Sequence, residues 1–311
     1  MKKVAISIGD LNGIGIQLAL ENHAEVSKIA DPLYCIDKEM LKQAARKLDL
    51  SVPEDFCFTE AVSFPFEIRP GSVDKESGAY AYASFTKAVE LTRTGKADAV
   101  CTLPIHKKAW EIAGVKYKGH TDALRDFFNA EAIMMLGCPQ MYVALFTEHI
   151  PLKEVAGNIK EKELTRFLVD FYRTAKPQST VAVLGLNPHA GDDGVLGDEE
   201  VIIKKAIDNA KQILGERCCE GTAPYSDPLV PDVAFTPNVR KHYTHYVAMY
   251  HDQGLAPLKA LYFDEGINVS LNLPILRTSV DHGTAFDIAY KGVKLNDLSY
   301  LNAIKYIAEN A

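Results

Sequence analysis

Tyr246-Val-Ala-Met-Tyr-His-Asp-Gln-Gly-Leu255 passes from an apolar, strand-like run directly into a histidine, His251, followed by a carboxylate. Two other segments do the same: Met141-Tyr-Val-Ala-Leu-Phe146 precedes His149, and Val181-Ala-Val-Leu-Gly-Leu186 precedes His189. Short apolar runs of this kind read as buried strands of a parallel sheet, and open α/β sheets present their chemistry just past the carboxyl ends of such strands. Imidazole is the commonest neutral ligand of a divalent cation. One strand-end histidine is more often a packed core residue than a ligand. Three of them, on three strand-to-loop transitions, point to one open catalytic metal site.

Working outward from these strands, helical patterns separate them. Lys160 to Ala175 places Leu164, Phe167, Leu168 and Phe171 on one face, and Glu199 to Leu214 does so more loosely with Val201, Ile202, Ala206 and Ile213. Near the N-terminus a strand over Val4 to Ile8 breaks into Gly9-Asp-Leu-Asn-Gly-Ile-Gly15, and a helix is expected over Ile16 to Ala30. A further strand over Ala97 to Thr102 leads into Leu103-Pro-Ile-His-Lys107. Strands alternating with helices predict a largely parallel sheet covered on both faces. The 311 residues suit about two domains. Tyr117 to His120 and Gly254 to Lys259 are the candidate crossings, giving one lobe from residues 1–118 and 256–311 and a second from 119–255, with a cleft between them.

Composition narrows the partners. A formal charge of −7 disfavours nucleic acid and anionic membrane, both of which select a basic patch. No apolar stretch approaches the ~20 residues of a spanning helix, and the N-terminal run shows no secretory pattern. The six cysteines form no C-x₂-C pairs and read as buried free thiols of a reducing cytoplasm. An anionic ligand must therefore be held by local cations. Lys259, Asn268 and Arg277 supply such a set, the last two flanking the strand-like Val269 to Leu276. Gly119-His120-Thr121 adds an imidazole and a hydroxyl, with Thr121 expected to cap the following helix. Solvated surface charge and a plain cap are the competing account of these residues. Gly13 and Gly15 allow close backbone approach to a ligand or simply a tight turn, and Asp281 to Asp287 forms a similar loop ahead of a helix expected over Ala285 to Tyr290.

Tyr250-His-Asp-Gln-Gly-Leu255, Leu186-Asn-Pro-His-Ala-Gly191, Gly119-His-Thr121 and Arg277-Thr-Ser-Val-Asp-His-Gly-Thr-Ala285 together resemble the 4-hydroxythreonine-4-phosphate dehydrogenase family of vitamin B6 biosynthesis, over nearly the whole chain. The resemblance implies an isocitrate/isopropylmalate dehydrogenase-like fold of two α/β/α lobes, and a homodimer. It implies a divalent metal (Zn, Mg or Co) on His149, His189 and His251, with His251 contributed across the dimer interface. Substrate contacts from His120, Thr121, Lys259, Asn268 and Arg277 follow in the same way. The NAD or NADP contacts are expected from Gly13, Gly15, His282, Gly283, Thr284 and Asp287, and proton transfer from Lys107 or Asp252. The implied reaction oxidises 4-phosphooxy-L-threonine and decarboxylates the product to 3-amino-2-oxopropyl phosphate. Related substrates, a phosphorylated four-carbon sugar acid or a cis-diol, are alternatives within the family. A metal-dependent hydrolase or lyase that never uses NAD is the alternative outside it. One departure stands out: Leu11 and Asn12 occupy positions where the family usually carries proline and alanine, and Ile16 and Gln17 follow in place of proline and glutamate.

Overall fold

The computed structural model describes residues 1–60, 64–215 and 223–311. Its strands, in chain order, are β1 (Lys3–Ser7), β2 (Asp31–Cys35), β3 (Phe58–Thr59), β4 (Ala99–Thr102), β5 (Ile133–Cys138), β6 (Met141–Leu145), β7 (Val181–Leu184), β8 (Tyr225–Leu229), β9 (His245–Ala248), β10 (Ile267–Leu271) and β11 (Leu276–Val280). Two compact units contain them: Met1–Glu131 with Asp264–Ala311, and Ala132–Phe263. In the first unit the strand order is β3-β2-β1-β4-β11-β10, and in the second it is β5-β6-β9-β7-β8. β1, β2, β4 and β11 run parallel, as do β6, β9, β7 and β8, whereas β10 opposes β11 and β5 opposes β6. The expected α/β class, with a mainly parallel arrangement and helices between strands, is what forms.

Each unit has its own core. In the first, Ala5 and Val100 of the strands meet Phe85, Ala88 and Val89 of the helix Lys75–Arg93 and the buried Trp110. In the second, Val143, Ala182 and Tyr246 meet Leu255 and Leu258 of the helix His251–Tyr262. These cores explain where the boundaries fall. Ala123 and Leu124 pack with Phe85 and Trp110, so residues 119–131 belong to the first unit, while Leu258 keeps 256–263 in the second. Both crossings therefore lie downstream of the turns chosen from sequence.

Several local expectations change. The helix over 16–30 is two, Gly15–Glu21 and His23–Ile29, parted at Asn22 (φ −106°, ψ 6°), whose side-chain amide and own N–H share the Leu18 carbonyl. Val269 to Leu276 is a hairpin, so Asn268 and Arg277 lie within β10 and β11. Gly254 to Lys259, expected as a crossing between lobes, lies inside the helix His251–Tyr262. Residues 285–290 form turns. In Glu199–Leu214 the buried face is Ile203, Ala206, Ile207 and Ala210, while Val201 and Ile213 are exposed. Cys35, Cys101 and Cys138 are buried free thiols, but Cys57 is exposed, and Cys218 and Cys219 lie outside the described residues. Among the described residues no helix is long and apolar enough to cross a membrane.

The altered N-terminal loop is tied down by Asn12. Its amide donates to Ser72 O (2.9 Å) and Asp74 Oδ2 (2.7 Å), and its Oδ1 accepts from Arg69 N–H (2.8 Å). Its own N–H donates to the buried Asp10 carboxylate at 3.0 Å, and Ser77 Oγ donates to Asp10 at 3.3 Å. Desolvation dominates at Asp10 and raises its carboxyl from 3.8 to about 6. The folded state therefore holds this proton more tightly than the unfolded chain. The resulting stabilisation is complete below 3.8 and is lost as the pH rises through about 6. The loss amounts to about 3 kcal/mol at neutral pH and above. Asp10→Asn keeps an acceptor for Asn12 and is expected to be the more stable protein at about pH 8, by a margin shrinking toward about pH 4. Urea unfolding across that range checks this; a margin independent of pH contradicts it.

Candidate functional site

Two groups of side chains carry the chemistry, one in each unit. In the first unit Arg277 is 2% exposed. β10 and β11 place Ser270 directly opposite Arg277 and Asn268 opposite Ser279, and β11 pairs with β4 so that Ser279 stands beside Thr102. Directly paired residues share a sheet face, so this face is polar. The guanidinium spends its donors on neutral acceptors. Nε and Nη2 both donate to Thr102 Oγ1 (3.2 and 2.6 Å), Nη1 donates to Ser270 Oγ (3.1 Å), and Nη2 donates to His120 Nδ1 (3.1 Å). No carboxylate pairs with it among the described residues. Burial pulls its pKa down to about 10, which still leaves it cationic at neutral pH.

His120 accepts from Arg277, so its Nδ1 is unprotonated and its proton resides on Nε2. Burial first, and then the Arg277 charge, hold this imidazole well below its ordinary pKa, which keeps it neutral. Its Nε2 is buried without a partner, and so is Asn268 Oδ1. Unpaired buried polar atoms are costly, and here they belong to two groups expected to meet an anionic ligand. Thr121 lies inside the first turn of the helix His120–Phe128, whose cap position is Gly119, so it does not cap the helix. Lys107 begins the helix Lys107–Ile112, and its Cε passes close beside Gly119.

The glycines of the N-terminal loop are explained by packing. A Cβ on Gly13 would stand 2.8 Å from Thr284 O, and one on Gly15 would stand 2.8 Å from Ile8 O. Ile14 N–H donates to Thr284 O at 3.1 Å, so this loop and the 282–287 loop are joined. Thr284 is buried, Gly283 and Asp287 are exposed, and His282 Nε2 is buried without a partner.

In the second unit the ends of β6, β9 and β7 are laterally tied. Thr147 Oγ1 donates to Met249 O at 2.6 Å. Gln253 accepts from Met249 N–H at 2.7 Å and donates to Gly185 O at 2.6 Å. These bonds set the strand ends that precede His149, His251 and His189. The His149 and His251 rings lie 5.5 Å apart, centroid to centroid, within one chain. Asp252 Oδ1 engages His251 Nδ1 at 2.9 Å, leaving Nε2 free to ligate. Two imidazoles on one tetrahedral cation have centroids roughly 5 Å apart, so this pair fits a shared divalent ion. His189 does not complete a three-ligand group with them among the described residues. Lys259 lies on the helix His251–Tyr262, its Nζ 5.8 Å from the Phe263 ring centroid.

His189 belongs to a strained turn. His189, Ala190, Gly191, Asp192 and Asp193 all have positive φ, a left-handed run that costs non-glycine residues about 1 kcal/mol or more each. Glu200 holds it: Leu186 N–H, Asn187 N–H and the Asn187 amide donate to its carboxylate at 2.8, 2.7 and 2.9 Å. Thr102, Ser270, Gln253 and Glu200 were all missed from sequence, because nothing local distinguishes them from ordinary strand and helix residues. Glu200→Ala is expected to destabilise the protein by about 2–3 kcal/mol, through loss of charge-assisted bonds. Amide exchange should rise selectively over 186–193. Unchanged exchange there would show that the turn holds itself.

Known proteins resemble this chain over nearly its whole length. Residues 28–307 fit the family model described as pyridoxal phosphate biosynthetic protein PdxA. The 4-hydroxythreonine-4-phosphate dehydrogenase of Sulfurimonas denitrificans is 59% identical over 97% of this chain and 96% of its own. A crystal structure of that enzyme from Burkholderia phymatum aligns with TM-score 0.81 and 32% identity, over 99% of this chain and 98% of that one. A terephthalate 1,2-cis-dihydrodiol dehydrogenase from Burkholderia xenovorans aligns at TM-score 0.69 and 25% identity, covering 99% and 97%. The β-decarboxylating dehydrogenase of Thermococcus kodakarensis, at TM-score 0.50 and 14% identity over 97% and 82%, shares the fold. The four motifs, the fold and a match spanning nearly the whole length agree: the chain belongs to the pyridoxal phosphate biosynthetic protein PdxA family.

Proposed function

We propose that the chain oxidises 4-phosphooxy-L-threonine with NAD or NADP and decarboxylates the product to 3-amino-2-oxopropyl phosphate, with a divalent metal (Zn, Mg or Co), in the cytoplasm. The observation that carries this reading is the buried guanidinium of Arg277, which no described carboxylate pairs with, together with the unpaired Nε2–H of the His120 ring bonded to it. A cation so placed needs an anion, and the names of the relatives favour a phosphorylated substrate over a carboxylate-bearing cis-diol. The dehydrogenase names of the relatives favour nicotinamide chemistry over a hydrolase or lyase.

Arg277, with Asn268 and the His120 Nε2–H, binds the phosphate, and Thr121 and Lys259 add polar contacts. Fixing the phosphate orients the reacting carbon, a contribution that enzymes draw from non-reacting groups. His149, His189 and His251 hold the metal. A divalent metal held there would supply Lewis acidity at the substrate oxygen, and a bound nicotinamide would supply the hydride acceptor. Asp252 is engaged with His251 and orients it, so Lys107, beside Gly119, is the group assigned to proton transfer. Gly13, Gly15 and the loop His282, Gly283, Thr284 and Asp287 face the dinucleotide.

The direct test is NADH absorbance after mixing metal-loaded protein with 4-phosphooxy-L-threonine and NAD. Arg277→Lys keeps the charge but loses the fork, and should raise KM by about tenfold or more, with inorganic phosphate competing against substrate. No NADH, or an unchanged KM, counts against the reading.

The assembly we propose is a homodimer in which His251 serves the partner's site. The 5.5 Å spacing of His149 and His251 within one chain favours a second reading, with both ligands from the same copy. Mixing His149→Ala and His251→Ala after subunit exchange separates them. With a shared site, one site in the heterodimer is intact and activity returns. With same-chain ligands, none returns.

A further inference from the structure

Arg277 is aimed by residues that have no place in the reading above. Thr102 ends β4, fully buried, with Ser7 beside it on β1 and Ser279 beside it on β11. Its single hydroxyl oxygen accepts from both Nε and Nη2 of Arg277, which uses both of its lone pairs. Two bonds from one side of the guanidinium to one fixed atom define the direction of the fork. A third bond, from Nη1 to the buried Ser270 Oγ, stops the plane from rotating about that atom. Nη2 is completed by His120 Nδ1.

Counting donors sharpens the point. A guanidinium has five N–H groups. Nε–H, both on Nη2 and one on Nη1 are spent on Thr102, His120 and Ser270. The remaining one, on Nη1, has no acceptor among the described residues. Its nitrogen is the one bonded to Ser270 of β10, and Asn268 stands two residues from Ser270 on the same face. Neutral acceptors fix orientation and leave the charge unspent; a carboxylate in place of Thr102 would fix it and cancel it.

We infer that Thr102, seconded by Ser270, is a positioning residue that presents the free Nη1–H and the uncancelled charge of Arg277 to the substrate phosphate. This rests on the assignment of Arg277 to the anion. In this role Thr102 acts through Arg277 and not on the substrate itself.

Thr102→Val preserves shape and removes the acceptor, whereas Thr102→Ser preserves the acceptor. The probes are 4-phosphooxy-L-threonine and inorganic phosphate, and NAD binding is followed separately by quenching of protein fluorescence. Thr102→Val should raise both the KM for the substrate and the inhibition constant of phosphate by roughly tenfold or more, with the NAD dissociation constant within about twofold. Thr102→Ser should restore both to within about threefold. Ser270→Ala, the second variant, should raise them more modestly and serves if Thr102→Val fails to fold. If Arg277→Lys impairs phosphate binding while Thr102→Val or Ser270→Ala lowers only thermal stability, Thr102 is structural and the inference is overturned. If Arg277→Lys leaves phosphate binding intact, the anion assignment itself fails first.

Discussion

A guanidinium sealed among two hydroxyls and an imidazole carries a charge that this chain does not neutralise. Burying an ion without a counter-ion is expensive unless its hydrogen bonds are met and an opposite charge arrives from outside. Thr102, Ser270 and His120 meet the hydrogen bonds of Arg277 without meeting its charge. Much of the first unit is organised around that requirement. The β10–β11 hairpin brings Ser270 opposite Arg277, the parallel pairing of β11 with β4 brings Thr102 alongside, and the core of Phe85, Trp110 and Leu124 anchors the helix that begins at His120. His120 has to be neutral to accept from Arg277, and its burial secures that state.

The second unit solves a different problem, that of fixing the strand ends that precede His149, His189 and His251. Gln253 and Thr147 stitch the ends of three strands into one edge, so the residues that follow start from a rigid base. The left-handed turn at His189 is strained, and the carboxylate of Glu200 offsets the strain through three N–H donors. Strain kept at such a place, against the preference of alanine and aspartate residues, is characteristic of functional backbone. His251, which starts a helix, is turned by its neighbour Asp252 instead.

The N-terminal loop shows a family pattern maintained by other means. Without a proline at position 11, the turn depends on Asn12, which bonds to the 69–74 segment and to Asp10. The glycines there are required by the close approach of Thr284 and Ile8 carbonyls. The same packing joins this loop to the one expected to face the dinucleotide.

The sequence by itself determined β1, β4, β6, β7 and β9, since four to six consecutive apolar residues can be satisfied only by burial on both faces, and hence the α/β class, but not β2, β3, β5 or β8. It also marked the strand-end histidines and the polar set, and its motifs carried the family. Tertiary structure alone decided which polar groups share a face. Periodicity could not reveal that Val269 to Leu276 folds into a hairpin, because Asn272 with φ 58° and the antiparallel register of Asn268 with Ser279 depend on the neighbouring strand. Thr102 reads as an ordinary strand residue until β11 lies beside it and Arg277 reaches it. The helix His251–Tyr262 is hidden by Gly254 and Pro257, poor helix formers; Gly254 packs so closely on Val143 and Ala248 that a Cβ has no room. Hydrogen bonds across 175 residues of chain are set by strand pairing, and no local pattern records them.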